Sequence, residues 1–463
     1  MRTPGAILLV SCYELGHQPL NLASPLAVLA QAGYAPVAID TAVEPLTDEM
    51  IIQARLVCIS VPMHTALRLA MRVAERVHTL NPTARLCFYG LYASLNADYL
   101  HAQGIHFVIG GEYEQALLEL VQALEQGNPD SLPGVSTPTA PAAPILRRLP
   151  FTQPDRRALP PLQRYARLQQ GEQLSLVGYV EASRGCLHTC LHCPITPVYQ
   201  GRFFVIPREI VLQDIRAQVQ MGAQHITFGD PDFLNGPGHS LKILRAMRTE
   251  FPALTFDATI KIEHILEHRA LFREFRALGC AFIVSAIEAV SDHVLAHLDK
   301  GHTRADVIEA LRILEDADIP MRPSLLPFTP WTTLDDYLDL LTFIEQYHLI
   351  EQIDPVHYSI RLLLPPGAAL LDKPAMRPSL GELDAAAFSY QWTHPDPRLD
   401  RLQQEVAALV EAGERSNTPA DETFYAIKAL AEETAGLVLT AAGRARPPFA
   451  RKETPHLTES WFC

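Results

Sequence analysis

The chain has 463 residues, 48% of them hydrophobic, and a formal net charge of -14 at neutral pH. That length supports roughly two to four cores rather than one, and a negative chain without a basic face excludes a partner held through phosphate contacts. No apolar run reaches the length of a membrane span, and the start Met1-Arg-Thr-Pro-Gly5 leads into a strand instead of a secretory signal. Eight cysteines in a chain this long do not make a disulfide framework, so a reducing cytoplasm is the expected setting.

Residues 1–125 alternate short apolar stretches (6–11, 35–39, 56–61, 85–89 and 107–109) with amphipathic ones (25–32 and 66–80). Alternation of this kind predicts a doubly wound parallel sheet, whose ligands sit beyond the carboxyl ends of the strands. Three loops fall at that end, 13–19, 61–64 and 109–114. His17 and His64 within them read as loop histidines, solvated or capping. Cys58, Cys87 and Cys280 lie in strand-like surroundings and read as ordinary buried thiols. Residues 126–173 are rich in proline, serine and threonine without periodicity, which predicts a linker; its pairs Arg147-Arg148 and Arg156-Arg157 read as solvated.

A strand expected at 174–180 leads into Glu181-Ala-Ser-Arg-Gly-Cys-Leu-His-Thr-Cys-Leu-His-Cys-Pro194. Cys186, Cys190 and Cys193 are spaced to fold around one metal centre, since thiolates are soft ligands that favour iron–sulfur clusters and zinc. Three thiolates are one short of the usual four, which leaves a corner open to a substrate or cofactor. The alternative is a structural zinc site completed by His188 or His192. Further strands at 226–228, 255–259, 282–286, 322–328 and 357–364 extend this second unit over 174–365 as a partial (β/α) barrel with its site at the strands' carboxyl ends. Glu288 sits at such an end among apolar neighbours, where an unpaired carboxylate is costly. His293, His297 and His302 read as helix-surface or capping residues. Residues 366–463 are mostly helical (398–414 and 424–434) and read as a cap and tail.

The CxxxCxxC spacing resembles the radical S-adenosylmethionine (SAM) superfamily, with His192 standing where the family usually has an aromatic residue. The resemblance implies a 4Fe–4S cluster on Cys186, Cys190 and Cys193 whose fourth iron chelates SAM. It also implies a 5′-deoxyadenosyl radical as the reagent, and a ferredoxin- or flavodoxin-type protein as reductant. Phe228-Gly-Asp-Pro-Asp-Phe233 resembles the segment whose backbone receives the methionyl amine, which assigns SAM contacts to Gly229, Asp230 and Pro231. The run from Ser285 through Asp299-Lys-Gly-His302 is similar to the fourth-strand motif, with Ser285 and Ala289 in place of glycines, and assigns Ser285 and Glu288 to SAM. The N-terminal unit resembles the flavodoxin-like cobalamin-binding domain that precedes many such cores. Its Gly110, Gly111 and Glu112 match that domain's final turn, although His17 does not fit the cobalt-ligating motif Asp-x-His-x-x-Gly. The resemblance thus implies a SAM-cleaving enzyme, with cobalamin-dependent methyl transfer to a substrate the sequence does not name. Alternatives are a cobalamin-independent peptide-modifying or sulfur-inserting enzyme, and a non-catalytic zinc protein. The ending Glu459-Ser-Trp-Phe-Cys463 is similar to a subfamily whose members finish in Cys-Cys-Ala-Glu-Pro or Cys-selenocysteine-Ala-Glu-Pro, implying a selenocysteine codon after Cys463.

Overall fold

The computed structural model describes residues 1–129, 132–437 and 454–459; Cys463, on which the selenocysteine expectation rests, lies outside them. Five parallel strands, β1 (Ile7–Ser11), β2 (Val37–Asp40), β3 (Leu56–Ser60), β4 (Arg85–Tyr89) and β5 (Phe107–Ile109), form the first sheet in the order β2-β1-β3-β4-β5. A short β6 (Val135–Ser136) closes its edge antiparallel to β5. The central strands are apolar on both faces because helices cover both, as a doubly wound sheet requires. Cys58 and Cys87 are fully buried in it, as expected.

The first helix begins earlier than its apolar pattern suggests, at Leu20, and runs to Gln31 with Pro25 inside. Proline cannot donate to the carbonyl four residues back. That carbonyl, of Asn21, instead accepts the Tyr89 hydroxyl at 2.7 Å, so the core repairs the interruption.

The strands that follow are, in chain order, β7 (Arg167–Gln170), β8 (Gln173–Val180), β9 (Ser183–Gly185), β10 (Phe203–Val205), β11 (His225–Phe228), β12 (Thr255–Thr259), β13 (Cys280–Glu288) and β14 (Met321–Leu325), and all but β9 and β10 belong to the second sheet. Strands β8, β11, β12, β13 and β14 are parallel and adjacent in that order, and β9 and β10 form a separate antiparallel pair. The strand expected at 357–364 is a 3-10 turn (Pro355–Tyr358) followed by one bridge, Phe328 to Arg361, because Pro355, Pro365 and Pro366 leave little chain free to pair. Among the described residues, helices pack on the face formed by Ile226, Phe228, Phe256, Ile283 and Met321. Two of these helices start in capping boxes, Thr303 with Asp306 and Thr333 with Asp336. The alternate residues, Tyr179, Thr227, Asp257 and Arg322, face the other way. One end of that inner face is closed by Leu168, Val177 and Phe282 with Leu457 of β17 (His456–Leu457), which pairs with β7. Before it, β15 (Leu380–Asp384) and β16 (Ser389–Trp392) form a hairpin in the region expected to be helical, ahead of helices Pro397–Ser416 and Ala420–Thr434.

Arg156 corrects the reading of the linker pairs as solvated. Its guanidinium is 1% exposed and donates to both carboxylate oxygens of Asp214, at 3.0 and 2.8 Å, and to the carbonyls of Gln18 and Tyr179. It joins both sheets to the proline-rich segment, whereas Arg157 beside it is exposed. Asp214→Asn leaves this guanidinium buried without its counter-ion and is expected to cost about 3–5 kcal/mol of stability. Arg157→Ala is expected to stay within about 0.5 kcal/mol; urea denaturation followed by circular dichroism separates the two.

Candidate active site

The cysteine loop leaves β8 through Glu181 and Ala182 and is turned by the β9–β10 pair. Asp230, in the loop after β11, accepts the Ala182 N–H at 2.8 Å and the Ser183 hydroxyl at 2.6 Å, fixing the approach to the cysteines. Gly185 has φ +75°, and a Cβ there would lie 2.5 Å from the Arg202 carbonyl, so only glycine admits the turn. Asn235 accepts the Leu187 N–H at 3.2 Å and lies 4.0 Å from the Cys186 sulfur. Beyond it the Cys190 carbonyl accepts from the Cys193 N–H and the Thr196 hydroxyl, and the Leu191 N–H reaches the Leu298 carbonyl. Burial pushes the Cys193 thiol up to about 12, with Cys190 and Cys186 adding to the shift against a hydrogen bond from Ile195. Cys186 is raised for the same leading reason. Three thiols that influence one another within one loop are a donor set that a soft metal centre deprotonates on binding, and this chemistry fits an iron–sulfur cluster.

Both histidines of the loop are engaged by carboxylates. The His188 Nε2 is 3.1 Å from Asp232, and the His192 Nε2 is 3.1 Å from Glu288. Glu288 has φ +60°, an uncommon conformation for a side chain of its size, at the end of β13. Its carboxylate accepts Lys300, itself 4% exposed, at 3.2 Å. Although burial alone would raise it, Lys300 and His192 hold the Glu288 carboxyl far below the usual carboxylate range. The partner that meets the cost of its burial in this structure is Lys300, of the Lys-Gly pair in the same motif. Ser285 is fully buried and donates to the Ile260 carbonyl at 2.7 Å, so its hydroxyl serves the barrel wall and not a pocket. Asp230 likewise turns its side chain back toward the cysteine approach, and burial pushes it up to about 7. Gly229 lies against the Tyr179 hydroxyl, where a Cβ would come within 1.9 Å, and Pro231 is half-buried in the same turn.

The turn assigned to cobalamin is occupied by the chain itself. A Cβ on Gly111 would lie 2.2 Å from the Ile145 carbonyl, and one on Gly110 would meet Ser94 and Pro144. Ile145 and this turn exchange backbone hydrogen bonds of 3.0 and 2.9 Å. Glu112 is 1% exposed and accepts from Arg184 at 3.4 Å and Tyr199 at 3.1 Å. The three residues therefore do not fit a corrin contact; the glycines make room for the linker, and Glu112 binds the strand before the cysteines. His17 is not solvated but buried, stacked on Tyr179 with ring centroids 4.8 Å apart. His64 is half-buried and bonded to the Ala387 carbonyl at 2.8 Å, and Phe388 packs on Tyr99 beside it. His302, expected at the surface, is buried and 3.3 Å from the Ile287 carbonyl. His297 stacks on Trp331.

Residues 180–344 match the family described as the radical SAM superfamily. Curated relatives include the ribosomal protein uS12 methylthiotransferases RimO of Geobacter sulfurreducens, 26% identical over 178 residues, and of Citrifermentans bemidjiense, 27% identical over 187. Each match covers 36% of this chain and 39% of the relative, so the chain spans about two-fifths of their length. Among solved structures, the cobalamin-dependent SAM radical enzyme OxsB with aqua-cobalamin aligns with a TM-score of 0.72 over 92% of this chain and 71% of its own, at 15% identity. The radical SAM methyltransferase TsrM from Kitasatospora setae aligns with a TM-score of 0.60 over 74% and 71%, at 16% identity. These likenesses show the fold. No helix among the described residues is long and apolar enough to cross a membrane.

The ion pair inside the barrel mouth sets a pH-dependent prediction. A carboxyl held below its unfolded value contributes stability that is present above the unfolded pKa, about 4.3, and is lost as pH falls through the folded one. Glu288→Gln is expected to cost about 3–5 kcal/mol at pH 7, because Lys300 stays buried without a counter-ion. It is also expected to flatten the fall in stability on the acid side of pH 4, measured by denaturation at stepped pH.

Proposed function

We propose that this chain, which carries a radical SAM domain over residues 180–344, cleaves SAM reductively and applies the resulting 5′-deoxyadenosyl radical to a substrate held in the barrel. The observation that carries the reading is the donor set: three thiols in one loop, Cys186, Cys190 and Cys193, two of them raised by burial, with both loop histidines bound elsewhere. When bound, a cluster on three thiolates supplies one electron at an iron that lacks a protein ligand. The chain's own residues do the rest. Asp230 and Asn235 hold the loop in place, and the backbone of the Gly229-Asp230-Pro231 turn is the proposed acceptor of the methionyl amine. The inner face, with Tyr179, Thr227, Asp257 and Arg322, is the proposed wall of the substrate space. His17 and the β7–β17 end shield that space from water. A ferredoxin- or flavodoxin-type protein would deliver the electron.

A cobalamin-dependent methyl transfer is a second reading, supported by the likeness to OxsB across both sheets. Against it stands the filled turn at Gly110 and Gly111. Sulfur insertion is supported by the methylthiotransferase relatives, whose match covers 36% of this chain. Anaerobic purification from cells supplied with cobalamin, followed by dithionite and SAM, tests these readings together. The expected result is about four irons per chain and 5′-deoxyadenosine, both lost in Cys190→Ala. Cobalt bound in equal amount to the chain would support the cobalamin reading, and its absence the independent one. One zinc, no iron and no deoxyadenosine would overturn the proposal.

A further inference from the structure

We infer that His188, Asp232 and His264 form a site for a divalent transition metal, distinct from the cysteine donors. The three side chains come from three loops: the cysteine loop, the loop after β11, and the helix Ile262–Glu267 after β12. Their donor atoms all lie within 4.8 Å of one another. The His188 Nε2 and the His264 Nδ1 converge on a single oxygen of Asp232, at 3.1 and 2.7 Å. Ligand atoms each about 2.0–2.2 Å from one ion sit about 3 Å apart when they bind at right angles, which is the spacing from the Asp232 oxygen to each imidazole; closing the wider gap between the imidazoles takes a small side-chain movement. Two imidazoles with one carboxylate is a recurrent set for zinc and ferrous iron, with further positions left for water or substrate.

The second observation is the alignment of a buried contact. Asp232 is 2% and His264 7% exposed, and the His264 Nδ1 lies 2.7 Å from the Asp232 oxygen without the alignment of a hydrogen bond. Two donor atoms held this close but out of line are arranged as ligands of one ion are, and an ion between them would satisfy both. The surroundings also suit a cation. The Asp232 and Glu263 carboxylates outnumber the one nearby ammonium, Lys261, which is paired with Glu263. The Glu263 Oε2 lies 3.7 Å from the His188 Nδ1, so it can accept that N–H once Nε2 binds metal, the usual support for a ligating histidine. Lys261, now 3.4 Å from the same nitrogen, would then turn wholly to Glu263. Gly301 permits the arrangement, since a Cβ there would fall 2.1 Å from a Glu263 oxygen. A metal here would lock the cysteine loop to the two barrel loops beside it.

Titration of the iron-loaded protein with Co2+ under anaerobic conditions tests the site. The expected result is one further equivalent bound, with a ligand-field spectrum of nitrogen and oxygen donors and no sulfur-to-cobalt charge-transfer band. His264→Ala is expected to lose that equivalent while keeping its iron, which serves as the folding control. His264→Asp, which places an oxygen where Nδ1 stood, is expected to retain it. Because no ligand is a cysteine, a Cys186→Ala, Cys190→Ala, Cys193→Ala variant is expected to bind cobalt equally, whether or not the native chain carries a cluster. No bound cobalt in either protein, a sulfur charge-transfer band, or equal binding by His264→Ala would overturn the inference.

Discussion

Arg184 is the charge around which the two halves of the molecule are joined. It lies two residues before Cys186 and is 9% exposed, and a guanidinium so buried must find carboxylates. It finds Glu114 at 2.7 Å and Glu181 at 2.9 Å, with Glu112 at 3.4 Å. Two of these stand in the last turn of the first sheet and one on the path into the cysteine loop. The aromatic faces of Tyr113 and Phe151 flank the same guanidinium. Three carboxylates around one cation are not all equally content, and burial pushes Glu112 up to about 7 against the pull of Arg184. The Gly-Gly-Glu-Tyr-Glu turn is thereby an ion-pair dock, and its glycines let Ile145 pass beneath it.

From that dock the architecture of the barrel mouth follows. The cysteine loop is held from below by Asp230, from the side by Asn235, and at its far end by Leu298. Its two histidines reach across to carboxylates in the loop after β11 and at the end of β13. Charged groups buried at this rim are each paired, as the low dielectric demands. The inner face below is polar in a different manner: His225 and Thr227 both bond Asp257, a network closed on itself at 2.8 and 2.7 Å. It stiffens the floor of the barrel.

The parallel sheets, their order of elements and the cysteine spacing were legible because they are local signals: apolar runs, alternation and three thiols in one short loop. The fates of single polar residues were not, because they depend on partners far along the chain. Glu288 is an instance: its cost on burial could be read from its apolar flanks, but its orientation toward Lys300 and His192 needed the fold. Arg156 looked solvated because its neighbours are prolines and another arginine; its counter-ion Asp214 is 58 residues away. The glycine turn shows the reverse error. Absent side chains do signal a close approach of backbone, but the sequence does not say whose, and here it is the protein's own. The hairpin β15–β16 was hidden because Asp384 and the alanines 385–387 that follow carry no turn signature of glycine or asparagine.

The claim on which the account rests is that an iron held by Cys186, Cys190 and Cys193 offers an open position to SAM. Electron paramagnetic resonance of the dithionite-reduced protein, with SAM labelled with nitrogen-15 at its amine, tests it directly. The expected result is a reduced-cluster signal whose g-values shift on adding SAM and which carries hyperfine coupling to the labelled nitrogen. A signal unchanged by SAM, or a protein with no iron signal at all, would contradict it.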